Sequence, residues 1–311
     1  MNRIIRRPLD GILLFDKPLG LSSNIALQKV RRLFQAEKAG HTGTLDPLAT
    51  GLLPICFGEA TKFSNALLDS DKIYCALLRL GVTTTTGDAE GEITAQHPVN
   101  VHQADVDAVL ATFRGEIKQL PPMHSALKHQ GKPLYEYIRK GETIARELRS
   151  VVIHELVLNH FSDHQISITV RCSKGTYIRT LAEDIGAALG CGAHLSGLRR
   201  TATGQFCLDS AHTLAQLEEM TMPQREACLL PLDSLVQNLP ALELDAAQVT
   251  RIAQGQRLAI ENELPDGKVR LYGAQGFIGV AQLEGQCLAP ERLLSSVAKS
   301  AACSELTVIE K

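Results

Sequence analysis

The chain has 311 residues, 44% hydrophobic and 21% charged, with a formal net charge of −2. That length can bury a full core and accommodate two domains, and the composition is that of a soluble globular protein. No run approaches the roughly eighteen apolar residues of a membrane span, and eight cysteines without a Cys-x-x-Cys pair speak against structural zinc and against a disulfide framework. Most of the cysteines are expected as small buried apolar residues.

The N-terminus carries three arginines before Asp10. The apolar run after it, Ile12 to Phe15, is too short for a signal peptide and is closed by Asp16, so a cytoplasmic protein is expected. Charge is unevenly spread: residues 1–40 hold eight Lys/Arg against three Asp/Glu, and 114–150 eight against four. Residues 205–245 hold one against seven. A basic face for nucleic acid and ordinary solvated helix faces both fit that distribution.

In chain order, Gly11 to Phe15 suits a buried strand, and Asp16-Lys17-Pro18-Leu19-Gly20 a turn. Ser22 or Ser23 caps a helix with Leu27, Val30 and Phe34 at helical spacing. Residues 40–51 then carry three glycines, a proline and three threonines around Asp46, which predicts a tight loop presenting one carboxylate. Ala60, Phe63 and Leu67 mark a second helix. Ile73 to Val82 reads as a strand and Thr83 to Gly91 as a polar turn. Residues 104–114 predict a helix, stopped by Pro121-Pro122. A basic stretch at about 124–150, with Tyr135 and Tyr137, is expected to form a flap. Ile166 to Cys172 alternates with period two and is a half-buried strand. Ile178, Leu181, Ala182 and Ile185 fit a helix. Leu239-Pro240 is a plausible boundary, and the glycine rhythm beyond it suits a small β-barrel. Strands and helices mix without regular βαβ alternation, so the fold class is α+β.

Four places could carry chemistry. Asp46 serves as a nucleophile or electrostatic stabiliser, or merely closes an Asx-turn. Arg179, in Ser173-Lys174-Gly175-Thr176-Tyr177-Ile178-Arg179-Thr180, either continues the strand on the side of Tyr177 and pairs with Asp46, or opens a helix as an exposed cation. Such a pair would keep the acid ionised. Tyr74 is a core residue or a stacking platform for a base. His41 bonds phosphate or caps the loop, and Lys17 contacts phosphate or is a solvated charge.

With these residues in place, the chain closely resembles the bacterial tRNA pseudouridine-55 synthases, the TruB type. The match runs through Asp16-Lys17-Pro18 with Gly20, Ser22 and Ser23, then Gly40 to Gly51, Gly58 to Lys62, Tyr74, and Leu80-Gly81 with Asp88. It continues through Pro121 to Lys128, Gly131-Lys132, Tyr135-Glu136, Ser173 to Thr180, Gly192-Ala193-His194 and Leu198-Arg199-Arg200. It covers most of residues 11–200, and the Gly-His-Thr-Gly-Thr-Leu-Asp-Pro string is highly specific. One departure is His124, where tyrosine is commoner.

The resemblance implies a pseudouridine synthase fold with a mixed, largely antiparallel sheet flanked by helices. It divides the chain into a catalytic domain at 1–238 and a PUA-like RNA-binding β-barrel at 239–311. Asp46 matches the catalytic aspartate, acting by ribose attack or a glycal route, and Arg179 matches its partner. Tyr74 matches the tyrosine that stacks on the flipped uracil and is a candidate for the proton transfer. His41, Tyr177 and Leu198 match positions lining the substrate pocket, and Lys17 a basic residue near the loop. The implied substrate is the T-arm of tRNA, with no cofactor, no metal, no membrane and no obligate protein partner; a monomer is expected. An RNA-binding, tRNA-folding module is the second reading. A small-molecule lyase or hydrolase is disfavoured, because neither a second obvious acid nor a metal set accompanies Asp46.

Overall fold

The computed structural model describes residues 6–125 and 127–297. The ends of both expected domains, Cys303, and Ala126 of the expected flap lie outside the described residues. A ten-stranded sheet organises the first two-thirds of the chain. Its path runs His212–Thr213, Gly11–Lys17, Ala49–Phe57, Ala193–Thr203, Lys72–Leu80, Gln165–Cys172, Arg149–Ser162 and Gly115–Gln119. Two neighbouring pairs along that path are parallel and the rest antiparallel, so the sheet is mixed and largely antiparallel, as expected.

Local chemistry explains the elements that position the site. Ser22 caps the helix Ser23–Leu33 by accepting from the Ile25 amide at 3.3 Å, and Ala26, Leu27 and Val30 turn inward. The strand Lys72–Leu80 alternates, with Tyr74, Ala76, Leu78 and Leu80 buried while Cys75, Leu77 and Arg79 face solvent. It ends before Val82 because Gly81 turns the chain with φ +81°. Val82–Thr84 instead pairs with Ile93–Gln96 around the polar turn. The expected second helix is split into a 3₁₀ turn, Gly58–Lys62, and a short helix, Ser64–Leu68, broken at Phe63. Its apolar residues Ala60, Phe63 and Leu67 are nevertheless buried together. The long strand Arg149–Ser162 has no counterpart among the elements read from sequence, because its outward positions are mixed and polar.

The expected flap contains a two-stranded hairpin, Lys128–His129 with Lys132–Pro133, and a short helix, Leu134–Ile138. The acidic segment packs onto the basic N-terminal region: Arg7 pairs with Glu226 at 2.7 Å, so part of the charge asymmetry is compensated locally. Three of the seven described cysteines are buried, two are partly buried, and Cys75 and Cys207 are exposed, so burial accounts for fewer of them than expected.

Beyond Pro240, five strands form a half-barrel in the order Ala241–Glu243, Gly267–Gly273, Gly276–Glu284, Cys287–Leu293 and Leu258–Ala259. They enclose Val269, Leu271, Ala281, Leu283 and Leu288, with Ile252 of the helix Ala246–Ala253. The half-barrel also shares an apolar cluster with the first unit, since Val280 and Leu294 pack with Ile12, Leu14, Leu52 and Leu235. Lys62 reinforces the contact by donating to Leu293 O and Ser295 Oγ at 2.9 and 2.8 Å. Among the described residues, no helix is long and apolar enough to cross a membrane.

Register decides what meets at the centre. Arg200 lies opposite Tyr74 on one neighbouring strand and opposite Gly51 on the other, while Leu198 lies opposite Ala76 and Ala49. Directly paired residues share a face, so this register gathers Tyr74, Leu198 and Arg200 where the Asp46 loop enters the sheet. Gly51 has φ +100°, and a Cβ there would lie 2.2 Å from Arg200 O. Gly51→Ala is therefore expected to lower unfolding free energy by more than about 2 kcal/mol, measured by urea denaturation, whereas Ala at the uncrowded Gly190 should cost less.

Candidate active site

Asp46 is held by its neighbours rather than by its own side chain. Buried Ser23 accepts from the Leu45 amide at 2.7 Å and donates to Leu45 O at 2.9 Å. The Gly20 amide donates to Pro47 O at 2.9 Å, tying the Pro18–Gly20 turn to the loop. The Asp46 carbonyl accepts from the Ala49 amide at 3.0 Å, closing a turn that leaves the carboxylate pointing away. That carboxylate meets Arg179 at 3.1 Å, which rules against the Asx-turn reading.

Arg179 reaches it from the first turn of the helix Ile178–Ala188, so the strand does not continue through Tyr177 as one expectation had it. It opens a helix, but it is not exposed: its side chain is 8% accessible, against 43% for Asp46. A cation at a helix N-terminus opposes the helix dipole, and a buried one needs partners. Arg179 has several. Besides Asp46, it pairs with Asp88 at 3.5 Å and donates to Thr86 O at 3.3 Å and to His124 O at 2.6 Å. The His124 contact uses the main chain, so the departure from tyrosine at that position leaves it intact.

The acid is not simply held ionised, as the sequence suggested. Withdrawal from water pushes the Asp46 carboxyl above its usual range. Arg179 pulls it back, the charge of Asp88 adds to the rise, and Lys17 and His124 oppose it. Asp88 is thus the second acid whose absence had disfavoured hydrolytic readings. It is buried, accepts from Thr86 Oγ1 at 2.6 Å and from the Glu90 amide at 3.1 Å, and shares Arg179 with Asp46.

Two cavities meet at this pair. One, of about 300 Å³, is lined by Tyr74, Tyr177, Leu198, Lys72 and Arg200. The other, of about 600 Å³, is lined by His41, Asn24, Glu90, His124, Tyr135 and Arg139. Asp46 and Arg179 form part of the wall of both. The structure therefore brings Tyr74, Tyr177 and Leu198 together on one side and places His41 on the other. His41 Nδ1 is buried without a hydrogen-bond partner among the described residues, and burial with the nearby Arg200 charge lowers its pKa.

Lys17 lines neither cavity. It is 0% exposed, and its ammonium donates to Pro18 O at 3.0 Å and Leu21 O at 2.5 Å. It supports the loop from below rather than meeting solvent or a phosphate, and burial brings its pKa down to about 8. Tyr74 is buried, and burial pushes its phenol up despite Arg200, so it stays protonated near neutrality. Tyr177 is fixed through its main chain: the Gln119 side chain accepts from its amide at 3.0 Å and donates to its carbonyl at 3.2 Å.

Three functional positions carried no role in the sequence reading. Arg200 is almost wholly buried and donates to Leu52 O at 2.7 Å and Gly43 O at 3.2 Å, joining the sheet to the Asp46 loop. Period two from Leu198 was the available signal. Lys72 donates to the carbonyls of Leu67, Leu68 and Ser70, and its burial lowers its pKa to about 8. Asp88, in a polar turn, was one of the positions of the family match, but nothing in the turn itself pointed to Arg179. Among the described residues, no three His, Cys, Asp or Glu side chains converge as a metal site.

Comparison with known proteins agrees with this geometry. Residues 31–178 match the TruB family pseudouridylate synthase N-terminal domain. Residues 179–237 match the tRNA pseudouridylate synthase B C-terminal domain, and residues 240–294 the pseudouridine synthase II TruB C-terminal domain. The chain is 55% identical to tRNA pseudouridine synthase B of Cupriavidus metallidurans, covering 94% of this chain and 96% of the relative. It is 54% identical to tRNA pseudouridine synthase B of Methylobacillus flagellatus, covering 93% and 97%. Among solved structures, the fold is shared with a chain of a Cbf5–Nop10–Gar1 complex, with TM-score 0.69, 26% identity and coverage of 91% and 84%. An archaeal box H/ACA Nop10–Cbf5 complex gives TM-score 0.68 at 24% identity, covering 93% and 89%. With its Asp46 loop, its sheet and its sequence in agreement, the chain belongs to the TruB family of pseudouridylate synthases.

Proposed function

We propose that the protein converts the uridine at position 55, in the T-loop of tRNA, to pseudouridine, by base flipping and an Asp46-dependent route without a cofactor. The observation that carries this reading is the position of Asp46 in the wall between the two cavities. A uracil stacked on Tyr74 beside Leu198 fills the smaller chamber, while its ribose stays at the carboxylate and the RNA strand runs through the larger cleft.

In the reaction the N1–C1′ bond breaks and a C5–C1′ bond forms. The C5 proton is lost and N1 gains one, so no oxidation state changes. Asp46 acts at the sugar, by attack on the ribose or through a glycal. Arg179 aims the carboxylate, and Tyr74 presents a stacking face and a protonated phenol. Tyr177, Leu198 and His41 shape the substrate pocket, and Arg139 with the other cations of the flap contacts phosphate. We assign residues 1–238 to catalysis and the PUA-like 239–311 to RNA binding, with tRNA as partner and the chain acting alone in the cytoplasm.

A tRNA-folding activity is compatible with this site, because flipping a nucleotide from a structured loop requires remodelling it. Asp46→Asn separates the two: it should abolish tritium release from C5-labelled uridine in tRNA while holding T-arm binding within roughly tenfold, about 1.4 kcal/mol. Full activity in Asp46→Asn would defeat the assignment.

The pH dependence follows from the acid pair. The ionised form of Asp46 is the active one, so activity is present above its raised pKa and falls as pH drops through it. Removing the neighbouring negative charge in Asp88→Asn should move that acid limb to lower pH, whereas Arg179→Met should move it higher. Rate–pH profiles measured under single turnover would read both shifts, and unmoved limbs would show that Asp46 does not control the rate.

A further inference from the structure

We propose that Ser125 holds the 2′-hydroxyl of the target ribose, so that the site reads RNA against DNA at the reacting nucleotide itself. This rests on the reading above that the site takes a flipped uridine. Five residues line both cavities: Thr44, Leu45, Asp46, Ser125 and Arg179. Leu45 is apolar, Asp46 and Arg179 are engaged with each other, and Thr44 is exposed, so its hydroxyl is open to water. Ser125 is 5% exposed, and its Oγ has no hydrogen-bond partner among the described residues. A hydroxyl buried that way costs stability unless something completes it.

Its place is fixed from two sides. The preceding carbonyl, His124 O, accepts from Arg179 at 2.6 Å, which ties the segment to the guanidinium that aims Asp46. Its own carbonyl accepts from the Tyr135 amide at 3.2 Å, which ties it to the flap. Ser125 therefore stands in the wall shared by both cavities, and its Oγ is a neutral donor and acceptor closed off from solvent and left without a partner among the described residues.

The chemistry of the substrate identifies what belongs there. C1′ or the adjoining C2′ must lie at Asp46 for the glycosidic bond to break by either route, with the base in the smaller chamber and the strand in the larger. The ribose then sits in the partition. Its 2′-hydroxyl, on the carbon next to C1′, is the nearest neutral donor and acceptor to the reacting atom, and a serine hydroxyl matches it in either direction.

The test is a thermodynamic cycle between protein and RNA. T-arm stem-loops carrying uridine or 2′-deoxyuridine at the target position are titrated against Asp46→Asn, which prevents turnover, with Ser125 intact or changed to Ala. Removing the 2′-hydroxyl should weaken binding about fivefold to tenfold with Ser125 present and less than about twofold in Ser125→Ala, the worth of one hydrogen bond. With Asp46 restored, Ser125→Ala should lower kcat/KM about tenfold on the ribo-substrate. Its Tm should be no lower than that of the wild type, because no intramolecular hydrogen bond is lost.

An equal deoxy penalty in both proteins, or no penalty in either, overturns the ribose contact. So does a lowered Tm with the deoxy penalty preserved, which would mark Ser125 as a packing residue. Failure of the underlying reading looks different: the wild type would then release no tritium from the C5-labelled uridine RNA.

Discussion

Arg179 is a buried cation at the positive end of a helix, an arrangement that stands only because other parts of the chain come to it. Asp46 arrives from the loop after the first helix, Asp88 and Thr86 O from the polar turn of a hairpin, and His124 O from the base of the flap. Three segments far apart in sequence are thereby fastened to one guanidinium. The same group acts on the Asp46 carboxylate, opposing the rise that burial and Asp88 impose. Fold and site share one contact, and burial with Asp88 raises the acid against the pull of Arg179.

The sheet supplies the second constraint. The strand Ala193–Thr203 is central, parallel to one neighbour and antiparallel to the other, so Leu198 and Arg200 are read against two strands at once. Arg200 stands between Tyr74 and Gly51, and its guanidinium holds the carbonyls of Leu52 and Gly43. A slip of one residue would turn Leu198 and Arg200 away from Tyr74 and leave the Asp46 loop without its anchor. Gly51 follows from the same constraint, since the Arg200 main chain passes too close to admit a side chain.

The two cavities give the site a direction. The smaller has aromatic, aliphatic and cationic walls, and the larger opens towards the helix start at Ser22 and the flap at Tyr135 and Arg139. The wall common to both, which includes Asp46, Arg179 and Ser125, is where a sugar joining a base to a strand would lie. His124 connects the flap to this partition through its carbonyl, which is why a change of side chain there is tolerated by the contact.

Much of this was legible in the residues. Asp-Pro within a glycine-rich loop marked Asp46, the alternation around Ile166 marked its strand, and the specific motif string marked the family. Arg179 was legible as a partner, but not its means of approach, because a residue just past a strand end fits a strand or a helix equally until the helix start is seen. Lys17 was misread as meeting solvent or phosphate, since nothing local reveals that its ammonium is taken up by Pro18 O and Leu21 O beneath the loop. Asp88 and Ser125 fall within matched segments and Lys72 stands beside Tyr74, but only burial and contacts give each of them a part in the site. The sequence by itself determined the family and marked the Asp46 loop, because these are properties of local pattern and composition. Only the tertiary structure decided which side chains share Arg179, which way the Asp46 pKa moves and what lies between the two cavities, because those depend on distances and desolvation between segments that the chain order keeps apart.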